Sequence, residues 1–579
     1  MSPTLQTLLP AAAGIAVVVL GILVFRLHAF LALLLAAATT AALTPREAIL
    51  WHAIASHPTD VREIPQGAGL SAVPGALDTQ VLESGGYWVF RRDSETGQPV
   101  RVATLRPATY FEVFPKGGSL NPAATSGAFS DGHQLFRLYR SPEYSVEPGD
   151  VFIRPIEFES ASRYRSVPDR IAAAFGDTVG SIGLLIAFAA VIGMCLLDSG
   201  AADRIVRSAL RLVGERGAPL AFAGCGFLLG VPVFFDTVFL LMIPLGKALR
   251  LRTGRDYVLY VLTIVCGATM AHSLVPPTPG PLLVAEALGV EVGMMMLVGT
   301  AVGLVTAGYG ILHAWAVNRW LDVPLRDTPD MPLADLERLA AKPDHELPPL
   351  WLSLLPIVLP VFLIAQQTAL ELFLKSPPAS LAGVAGRVPA WFVSAVDALG
   401  EKNTAVAIGL AVALFLLVWQ TRQSLGRVRD RVGAALASGG LIILVTAAGG
   451  AFGKTIEQTG VASLVQEMPT LGPAGLLSVA FLVTTAIRTA QGSATVAMIT
   501  AVGLFAGLDL PFHPVWLALA IGCGSKPISW MTDSGFWVIC KMSGMTEAET
   551  LKTLTPMTAT MGVVGLVTVI AGAIVFPLK

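Results

Sequence analysis

The sequence contains few charged residues: Asp, Glu, Lys and Arg make up 14% of its 579 positions, against about 25% in an ordinary soluble domain. Hydrophobic residues make up 54%, and the mean hydropathy is +0.68. This composition excludes an ordinary soluble protein and predicts a polytopic membrane protein surrounded by a lipid bilayer. In such a protein the formal net charge of −1 says little about partners, and we expect no nucleic-acid partner.

Cysteine is also scarce, and several catalytic patterns are missing. The cysteines predict neither a disulfide framework nor a metal site, because they lie in or beside apolar stretches without metal-ligand spacing. The sequence lacks the HExxH, GxSxG and CxxC patterns and a Walker-type phosphate-binding loop. We therefore expect neither an enzyme nor a nucleotide-driven pump, and no cofactor. The five cysteines are Cys195, Cys225, Cys266, Cys523 and Cys540.

Long apolar stretches recur along the chain and predict ten crossings of the membrane. The first two run from Leu8 to Phe25 and from Ala29 to Leu43, and the turn between them carries Arg26. Basic residues favour the cytoplasmic side, so this turn predicts that the N-terminus lies outside the cytoplasm. Ten crossings place the C-terminus on the same side. The expected location is a bacterial inner membrane. The start of the chain lacks the basic region of a signal peptide, and we expect an uncleaved first helix. The other crossings are predicted at 170–197, 257–288, 292–317, 350–374, 404–419, 434–452, 515–539 and 557–577.

Two further apolar stretches predict re-entrant hairpins. Basic clusters at 204–216 and 247–255 stand at both ends of the apolar stretch 219–245. Such flanks conflict with a single crossing, because both ends favour the cytoplasm. A hairpin that enters the membrane and returns resolves the conflict, with its tip near Gly230–Thr237. The Gly-interrupted stretch 476–505 predicts a second hairpin, which enters from outside.

The segment 57–168 differs in composition from the rest of the chain. It is richer in charged residues and contains runs that alternate apolar and polar residues between Gly and Pro. Such runs predict short strands, so we expect an inserted β-rich domain outside the cytoplasm. Aromatic and β-branched residues are too frequent for a disordered loop. The runs are GYWVFRR, PVRVATLR, TYFEVF, HQLFRLYR and DVFIRPIEFE.

The two halves of the chain resemble each other. Gly193–Gly200 aligns with Gly453–Gly460, and Asp236-Thr-Val aligns with Ala494-Thr-Val. Each half has an odd number of crossings, so the halves are expected in opposite orientation. We predict an all-α polytopic membrane protein with two inverted five-helix repeats, re-entrant hairpins and broken helices, plus the inserted β-rich domain. The predicted parts are 1–50 (first two transmembrane helices), 57–168 (inserted domain), 170–320 (rest of the first repeat), 321–349 (cytoplasmic loop) and 350–579 (second repeat).

Two ionisable residues lie inside apolar stretches that Gly and Pro interrupt. Asp236 follows Pro232, and His272 precedes Pro276. A charged residue at the centre of a span costs roughly 2.5–3.5 kcal/mol on insertion scales. Ionisable residues beside interrupted helices are typical of the binding site of a transporter.

Several stretches together resemble the gluconate permease family of proton-coupled sugar-acid symporters, within the larger ion transporter superfamily. The resemblance covers most of residues 1–50 and 170–579 and implies uptake of an organic anion with a cation, usually a proton. Thr278 and Trp530-Met-Thr stand where family members often have His and His-Val-Asn, so gluconate and related sugar acids all stay open as substrates. The stretches are LLDSGAADRI, FFDTVFLLMIPL, AHSLVPPTPGP, AAGGAFGKTIEQTGV, RTAQGSATVAMITAVGL and TDSGFWVICKMSGMTEAETLKT.

A carboxylate substrate needs N–H groups at helix N-termini, hydroxyl groups and a positive charge. The predicted hairpin tips and breaks supply all three. Arg488 and Lys526 are the candidate cations, although either could instead lie at a membrane interface. The predicted substrate-binding residues are Thr237, Ser273, Thr278, Gly280, Arg488, Gly492, Ser493, Thr495, Lys526, Thr532 and Ser534.

Proton coupling needs a group whose pKa can be moved across physiological pH. Asp236 is the preferred candidate because it falls at the predicted tip of the first hairpin; Asp533 is its counterpart in the second repeat, and His272 is a third candidate. Sodium coupling of a carboxylate transporter stays open, because unwound carbonyls with Asp and Thr oxygens also suit Na⁺. A transporter-like sensor that uses the inserted domain is another alternative. A homodimer is also left open.

Overall fold

The computed structural model describes residues 3–55, 60–63, 70–73, 87–92, 99–107, 136–139, 151–153, 158, 166–326, 346–375, 388–422, 425–460, 472–508 and 510–578. These residues are mostly helical, which confirms the prediction of a helical membrane protein. In chain order the helices are α1 (Pro3–Leu23), α2 (Ala29–Leu43), α3 (Arg46–Ala55), α4 (Val167–Asp198), α5 (Ala201–Val213), α6 (Ala218–Gly230), α7 (Phe235–Thr253), α8 (Tyr257–Leu274), α9 (Pro279–Ala287), α10 (Val292–Trp320), α11 (Leu350–Lys375), α12 (Ala390–Gly400), α13 (Lys402–Thr421), α14 (Leu425–Glu457), α15 (Pro473–Gln491), α16 (Ala494–Phe505), α17 (Pro514–Gly524), α18 (Ser534–Ser543) and α19 (Glu547–Val575).

Within the described residues, seven helices are long and apolar enough to cross a membrane. If each of two bent helix pairs is counted as one further span, the number rises to nine. The bent pairs are α2 with α3, at 99°, and the stretch from α5 to α6, at 116°. Helices α15, α16 and α17 are apolar but shorter than the roughly 20 residues that a straight span needs. The multi-pass membrane protein is confirmed, whereas the count of ten crossings stays a prediction.

The contacts of the chain divide it into two units. Residues 1–14, 38–170 and 455–464 form the first, and residues 15–37, 171–454 and 465–579 form the second. Within the first unit, Arg170 is only 6% exposed. Its guanidinium donates to the Ala41 carbonyl oxygen at 2.6 Å and to the Gln458 side-chain oxygen at 2.8 Å. These two bonds keep the charge at the start of α4 inside the unit.

The first unit also contains the described strands. They pair in the order β1-β2-β5-β4-β3-β6, and all of the pairs are antiparallel. Ile54, Phe90 and Ile153 form a small buried cluster, against which Phe158 stacks. The predicted run TYFEVF lies outside the described residues, and so does much of 57–168, so an inserted β-rich domain with those bounds stays a prediction. The strands are β1 (Asp60–Glu63), β2 (Leu70–Val73), β3 (Tyr87–Arg92), β4 (Pro99–Pro107), β5 (Phe136–Tyr139) and β6 (Val151–Ile153).

Helix α8 lies at the centre of the second unit. Of the most apolar 18 residues in the span Tyr257–Ala287, 89% are buried, as expected for a helix that is apolar on every side. Glycines allow α6 to pack closely against it. A Cβ at Gly226 would lie 2.9 Å from the Ile264 carbonyl oxygen, and one at Gly230 would lie 3.0 Å from the Ala268 carbonyl oxygen. A side chain at either glycine would push the two helices apart.

Four helix interruptions of the second unit fall where Gly and Pro predict them. The interruptions separate α6 from α7, α8 from α9, α15 from α16, and α17 from α18. Pro232, Pro276 and Pro527 lie in three of them, where proline removes a backbone donor and disfavours helical geometry in the preceding residue. The fourth is at Gly492, whose φ of 78° is the left-handed conformation that glycine adopts without strain.

Three helical features differ from the sequence-based prediction. The basic stretch after the third crossing, for which no helix was predicted, forms the amphipathic helix α5, which buries Ala201, Ala202, Ile205 and Val206. Helix α12 was not predicted at all. Helix α14 begins nine residues before the predicted crossing at 434, so Arg427, Arg429 and Arg431 lie on its first turns. Short helices and polar helix ends carry too little apolar periodicity to be separated from loops by sequence.

Candidate functional site

The first element of the site is the N-terminus of α7. Helix α6 ends at Gly230, and Phe234 precedes α7 in an extended conformation without a side-chain cap. The first turn of α7 therefore presents backbone N–H groups that no side chain caps. Asp236 lies in this first turn, where a carboxylate interacts favourably with the positive end of the helix.

The second element is the sharp turn between α15 and α16. The Gly492 N–H donates to the Arg488 carbonyl oxygen at 2.8 Å and ends α15. Ser493 then caps α16 by accepting a hydrogen bond from the Val496 N–H at 3.3 Å. A Cβ at Gly492 would overlap the Thr532 carbonyl group. The turn thus brings the N-terminus of α16 directly beside the interruption between α17 and α18.

The third element is that interruption, where Asp533 caps α18 by accepting from the Gly535 N–H at 2.9 Å. The preceding loop is held to α15. Trp530 Nε1 donates to the Thr489 carbonyl oxygen at 3.0 Å, and the Thr532 hydroxyl donates to the same oxygen at 3.4 Å. These bonds fix the loop that carries Lys526 and Ser529.

These elements surround a cavity of about 460 Å³ in the second unit. Its size falls within the range of about 300–1,000 Å³ that is usual for small-molecule sites. The N-termini of α7, α16 and α18 all contribute to its wall, so the positive ends of three helices converge on it. Its polar lining residues are Asp236, Thr237, Thr269, His272, Ser438, Arg488, Ser493, Thr495, Lys526, Ser529, Asp533 and Thr558.

Arg488 and Asp533 form an ion pair in the wall of this cavity. Arg488 Nη2 donates to Asp533 Oδ2 at 2.5 Å, and Arg488 Nε donates to the Ser525 carbonyl oxygen at 3.0 Å. The Ser529 hydroxyl donates to the same Asp533 oxygen. Arg488 is 4% exposed, and its Nη1 is buried without a hydrogen-bond partner among the described residues. The guanidinium is therefore held rigidly, with donor capacity left over.

Three further ionisable groups line the cavity. Lys526 is 7% exposed, and its ammonium forms no ion pair with any residue that the structure describes. In the same described part of the chain, the Asp236 carboxylate has no ion-pair partner either. His272 Nδ1 is buried without a hydrogen-bond partner among the described residues. A buried ammonium that forms no direct ion pair with a described residue, beside three helix N-termini, is suited to binding an anion.

A family model described as "GntP family permease" matches residues 162–575. The chain belongs to this family. It is 32% identical over 399 residues to the gluconate permease of Pseudomonas aeruginosa, covering 68% of this chain and 84% of that one. It is 30% identical over 428 residues to the low-affinity gluconate transporter of Escherichia coli, covering 71% of this chain and 89% of that one. The family predicted from the sequence motifs is thus confirmed.

The fold of this GntP-family permease resembles that of a solved membrane transporter. The YdaH transporter of Alcanivorax borkumensis superposes with a TM-score of 0.51 at 17% sequence identity, covering 75% of this chain and 94% of that one. At this identity the similarity concerns the fold alone.

The predicted site residues of the permease divide into two groups. One group lines the cavity: Asp236, Thr237, His272, Arg488, Gly492, Ser493, Thr495, Lys526 and Asp533. Of the predicted residues whose side chains the structure describes, Ser273, Thr278 and Thr532 are not part of the cavity wall, and neither is Gly280; the role of Ser534 stays a prediction. The buried Thr278 hydroxyl donates to the Val275 carbonyl oxygen at 2.7 Å. Gly280 packs against α16, where a Cβ would overlap the Met498 side chain.

Three hydroxyl groups of the cavity were not among the residues predicted from the sequence. Thr269 lies within α8, Thr558 within α19 and Ser438 within α14. None of them is at a helix interruption, so the positions of Gly and Pro in the sequence do not indicate them. For Thr269 alone the sequence contains a usable signal, because this residue lies one helical turn before His272 and therefore on the same side of α8.

Proposed function

We propose that this chain is a secondary active transporter that takes up a small hydroxylated organic acid, such as gluconate or a related sugar acid, together with protons. The observation that carries the proposal is the cavity itself. It combines three helix N-termini, the Arg488 guanidinium and the Lys526 ammonium, which forms no ion pair within the described part of the chain. The names of the relatives in Pseudomonas aeruginosa and Escherichia coli supply the substrate class.

The substrate carboxylate is proposed to lie between Lys526 and Arg488. Arg488 Nη1 has no partner among the described residues, and a bidentate contact with a carboxylate would use it. The hydroxyl groups of the substrate would face the side chains of Thr237, Thr269 and Thr495, which line the cavity. Such hydroxyls can donate and accept hydrogen bonds, which suits a polyhydroxylated chain.

Protons are the proposed coupling ion, and sodium is the alternative. Asp236, Asp533 and His272 all line the cavity, so each could exchange a proton with its water. Backbone carbonyls near the cavity are less suited to Na⁺. The Ser525 carbonyl oxygen accepts from Arg488, and the Ser529 carbonyl oxygen accepts from the Thr555 hydroxyl. A guanidinium among these oxygens also repels a second cation.

We also propose that the membrane part consists of two inverted repeats with re-entrant hairpins. Helices recur in the same order in the two halves: the starts of α7, α8 and α10, at Phe235, Tyr257 and Val292, correspond to those of α16, α17 and α19, at Ala494, Pro514 and Glu547. Helices α10 and α19 each contain 29 residues. In this arrangement the permease lies in a bacterial inner membrane, with both termini and the segment 57–168 outside the cytoplasm.

Counterflow in proteoliposomes tests the proposed substrate class. Vesicles loaded with unlabelled gluconate should take up labelled gluconate, because exchange needs no net driving force. Unlabelled sugar acids added outside should compete, whereas the corresponding uncharged sugars should not, since they lack the carboxylate. Competition by neutral sugars, or no exchange with any sugar acid, would contradict the proposal.

A further inference from the structure

We propose that the Arg488–Asp533 ion pair is the switch that links anion binding to proton binding. The carboxylate of the transported acid takes the place of Asp533 on the Arg488 guanidinium, and Asp533 takes up the coupling proton. This inference rests on the proposed symport of an organic acid with protons. It assigns the coupling to Asp533 rather than to Asp236, the candidate that sequence position favours.

The geometry of Arg488 leaves room for this exchange. Its Nε is bonded to the Ser525 carbonyl oxygen, Nη2 is bonded to one oxygen of Asp533, and Nη1 has no partner among the described residues. Asp533 therefore makes only a single-oxygen contact with a group that can hold a carboxylate through two parallel hydrogen bonds. A substrate carboxylate that bonds to both Nη1 and Nη2 satisfies the guanidinium more completely. Arg488 is 4% exposed, so it stays in place while the anions exchange.

The charges around the cavity favour loading one proton with each monocarboxylate. With the carboxylates, the guanidinium and the ammonium taken in their ordinary charged forms, Asp236 and Asp533 contribute two negative charges and Arg488 and Lys526 two positive charges, and His272 is counted as neutral. These charges cancel in the empty cavity. A bound carboxylate alone leaves one uncompensated negative charge in a largely buried site, which is strongly unfavourable. A carboxylate and a proton together restore a net charge of zero.

Asp533 is the group whose surroundings change when the anion binds. It loses its guanidinium partner and keeps hydrogen bonds from the Ser529 hydroxyl and the Gly535 N–H. The Asp533 side chain is 14% exposed. A carboxylate in such a setting binds a proton more readily once its cation has been removed than while it is paired. Asp236 has no cation partner among the described residues before the anion binds, so it has none to lose.

The step balances in atoms and charge. A substrate carboxylate, a hydronium ion and the Arg488–Asp533 ion pair become a substrate–Arg488 ion pair, a neutral Asp533 carboxylic acid and a water molecule; one O–H bond of hydronium breaks as the O–H bond of the acid forms. The charged or titratable groups that face Asp533 across the cavity are Arg488 of α15, Lys526 of the preceding loop, Asp236 of α7 and His272 of α8. Helix α19 contributes Leu554 and Thr558 to the cavity wall, and neither is charged. Binding is reciprocal, so the proton must also strengthen anion binding.

The test measures gluconate affinity of the purified full-length permease between pH 5 and pH 9. If one proton binds with each anion, the Kd of the wild type rises about tenfold per pH unit at pH values above the pKa of the group that takes up the proton. In Asp533→Asn the Kd should vary less than about twofold over the same range. Asn keeps the cap of α18 and cannot titrate. Asp236→Asn should keep a pH-dependent Kd with a smaller slope than the wild type, because it removes one negative charge from the cavity but leaves Asp533 to bind the proton.

Asp533→Ser is a second variant that caps α18 without titrating, and it should also give a flat profile if Asp533→Asn does not yield folded protein. Asp533→Glu should restore a pH-dependent Kd. A wild-type slope in Asp533→Asn and in Asp533→Ser would overturn the assignment while leaving proton symport intact. A flat profile in Asp236→Asn would do the same. A wild type without any slope would overturn the link between proton and anion. A wild type that binds no sugar acid would instead contradict the proposed function.

Discussion

Lys526 is the residue whose environment says most about what the cavity accepts. It follows α17 in a loop, is 7% exposed, and lines the cavity without an ion pair to the described residues. A buried ammonium is unfavourable unless a counter-charge approaches it. A transported carboxylate would supply that charge in each cycle, so Lys526 would be unpaired only while the site is empty.

Replacing Lys526 by Gln is expected to weaken gluconate binding by roughly 10- to 100-fold, because a hydrogen bond to a charged group contributes about 1.5–3 kcal/mol. The measurement is the Kd of purified protein by scintillation proximity. Lys541→Gln is the matched control, since Lys541 lies exposed on α18 outside the cavity wall. Equal Kd values for Lys526→Gln and the wild type would remove Lys526 from the site.

At the residue scale, the charged residues singled out from the sequence line the cavity, whereas the directions of several other side chains could not be predicted. Arg488, Lys526 and Asp533 were found because charges are rare in apolar stretches. Interruptions of several residues, however, present side chains in several directions, and sequence does not give the direction. Thr278 therefore lies at a predicted interruption but bonds to the Val275 carbonyl oxygen. Arg488 could equally have reached an interface by sequence, whereas the structure buries it against Asp533.

The helix interruptions are the elements that bring these side chains together. The shortest is at Gly492, where the left-handed backbone and the approach of the Thr532 carbonyl group both require glycine. This contact joins the turn between α15 and α16 to the loop that carries Lys526 and Asp533. The shape of the cavity therefore depends on a contact between two interruptions rather than within one.

Gly492→Ala is expected to destabilise the protein by more than Gly254→Ala. Both glycines have positive φ, at 78° and 70°, and a left-handed conformation costs alanine about 1–2 kcal/mol. Only at Gly492 must the new Cβ also displace a carbonyl group, since nothing lies within 4 Å of a Cβ at Gly254; overpacking adds about 1–3 kcal/mol. Thermal unfolding of the two variants in detergent checks this, and equal shifts would contradict the proposed contact.

Gly and Pro made the interruptions predictable, because they act on the backbone locally. The bounds of α6, α7, α15 and α16 accordingly lie close to the predicted ones. Helices α5 and α12 could not be predicted in the same way. Their stability comes from packing against neighbouring helices, as with the buried Ala201 and Ile205 of α5, and propensity alone does not reveal such packing.

For the whole molecule, the proposed arrangement in the membrane rests on the distribution of basic residues. Basic residues near α5, the end of α7 and the start of α14 favour one common side, which the positive-inside rule makes cytoplasmic. The segment 57–168 would then lie on the opposite side. Length and hydropathy of the helices do not settle this arrangement, because they contain no information on direction.

Single-cysteine labelling tests the proposed orientation. The five native cysteines are free and buried, so a background without them removes little surface chemistry. A cysteine at position 130, which lies outside the described residues, should react with an impermeant maleimide in intact cells. A cysteine at Gly426, at the start of α14, should react only after the membrane is permeabilised. The reverse pattern would contradict the orientation.

The most direct test of the central claim is accumulation of labelled gluconate in proteoliposomes under separate ion gradients. With the membrane potential clamped by potassium and valinomycin and sodium absent, a pH gradient with an alkaline interior should concentrate gluconate inside. A protonophore should abolish that accumulation, and a sodium gradient alone should produce none. Accumulation driven by sodium and not by the pH gradient would contradict proton coupling through this cavity, and equilibration without accumulation under either gradient would contradict active symport.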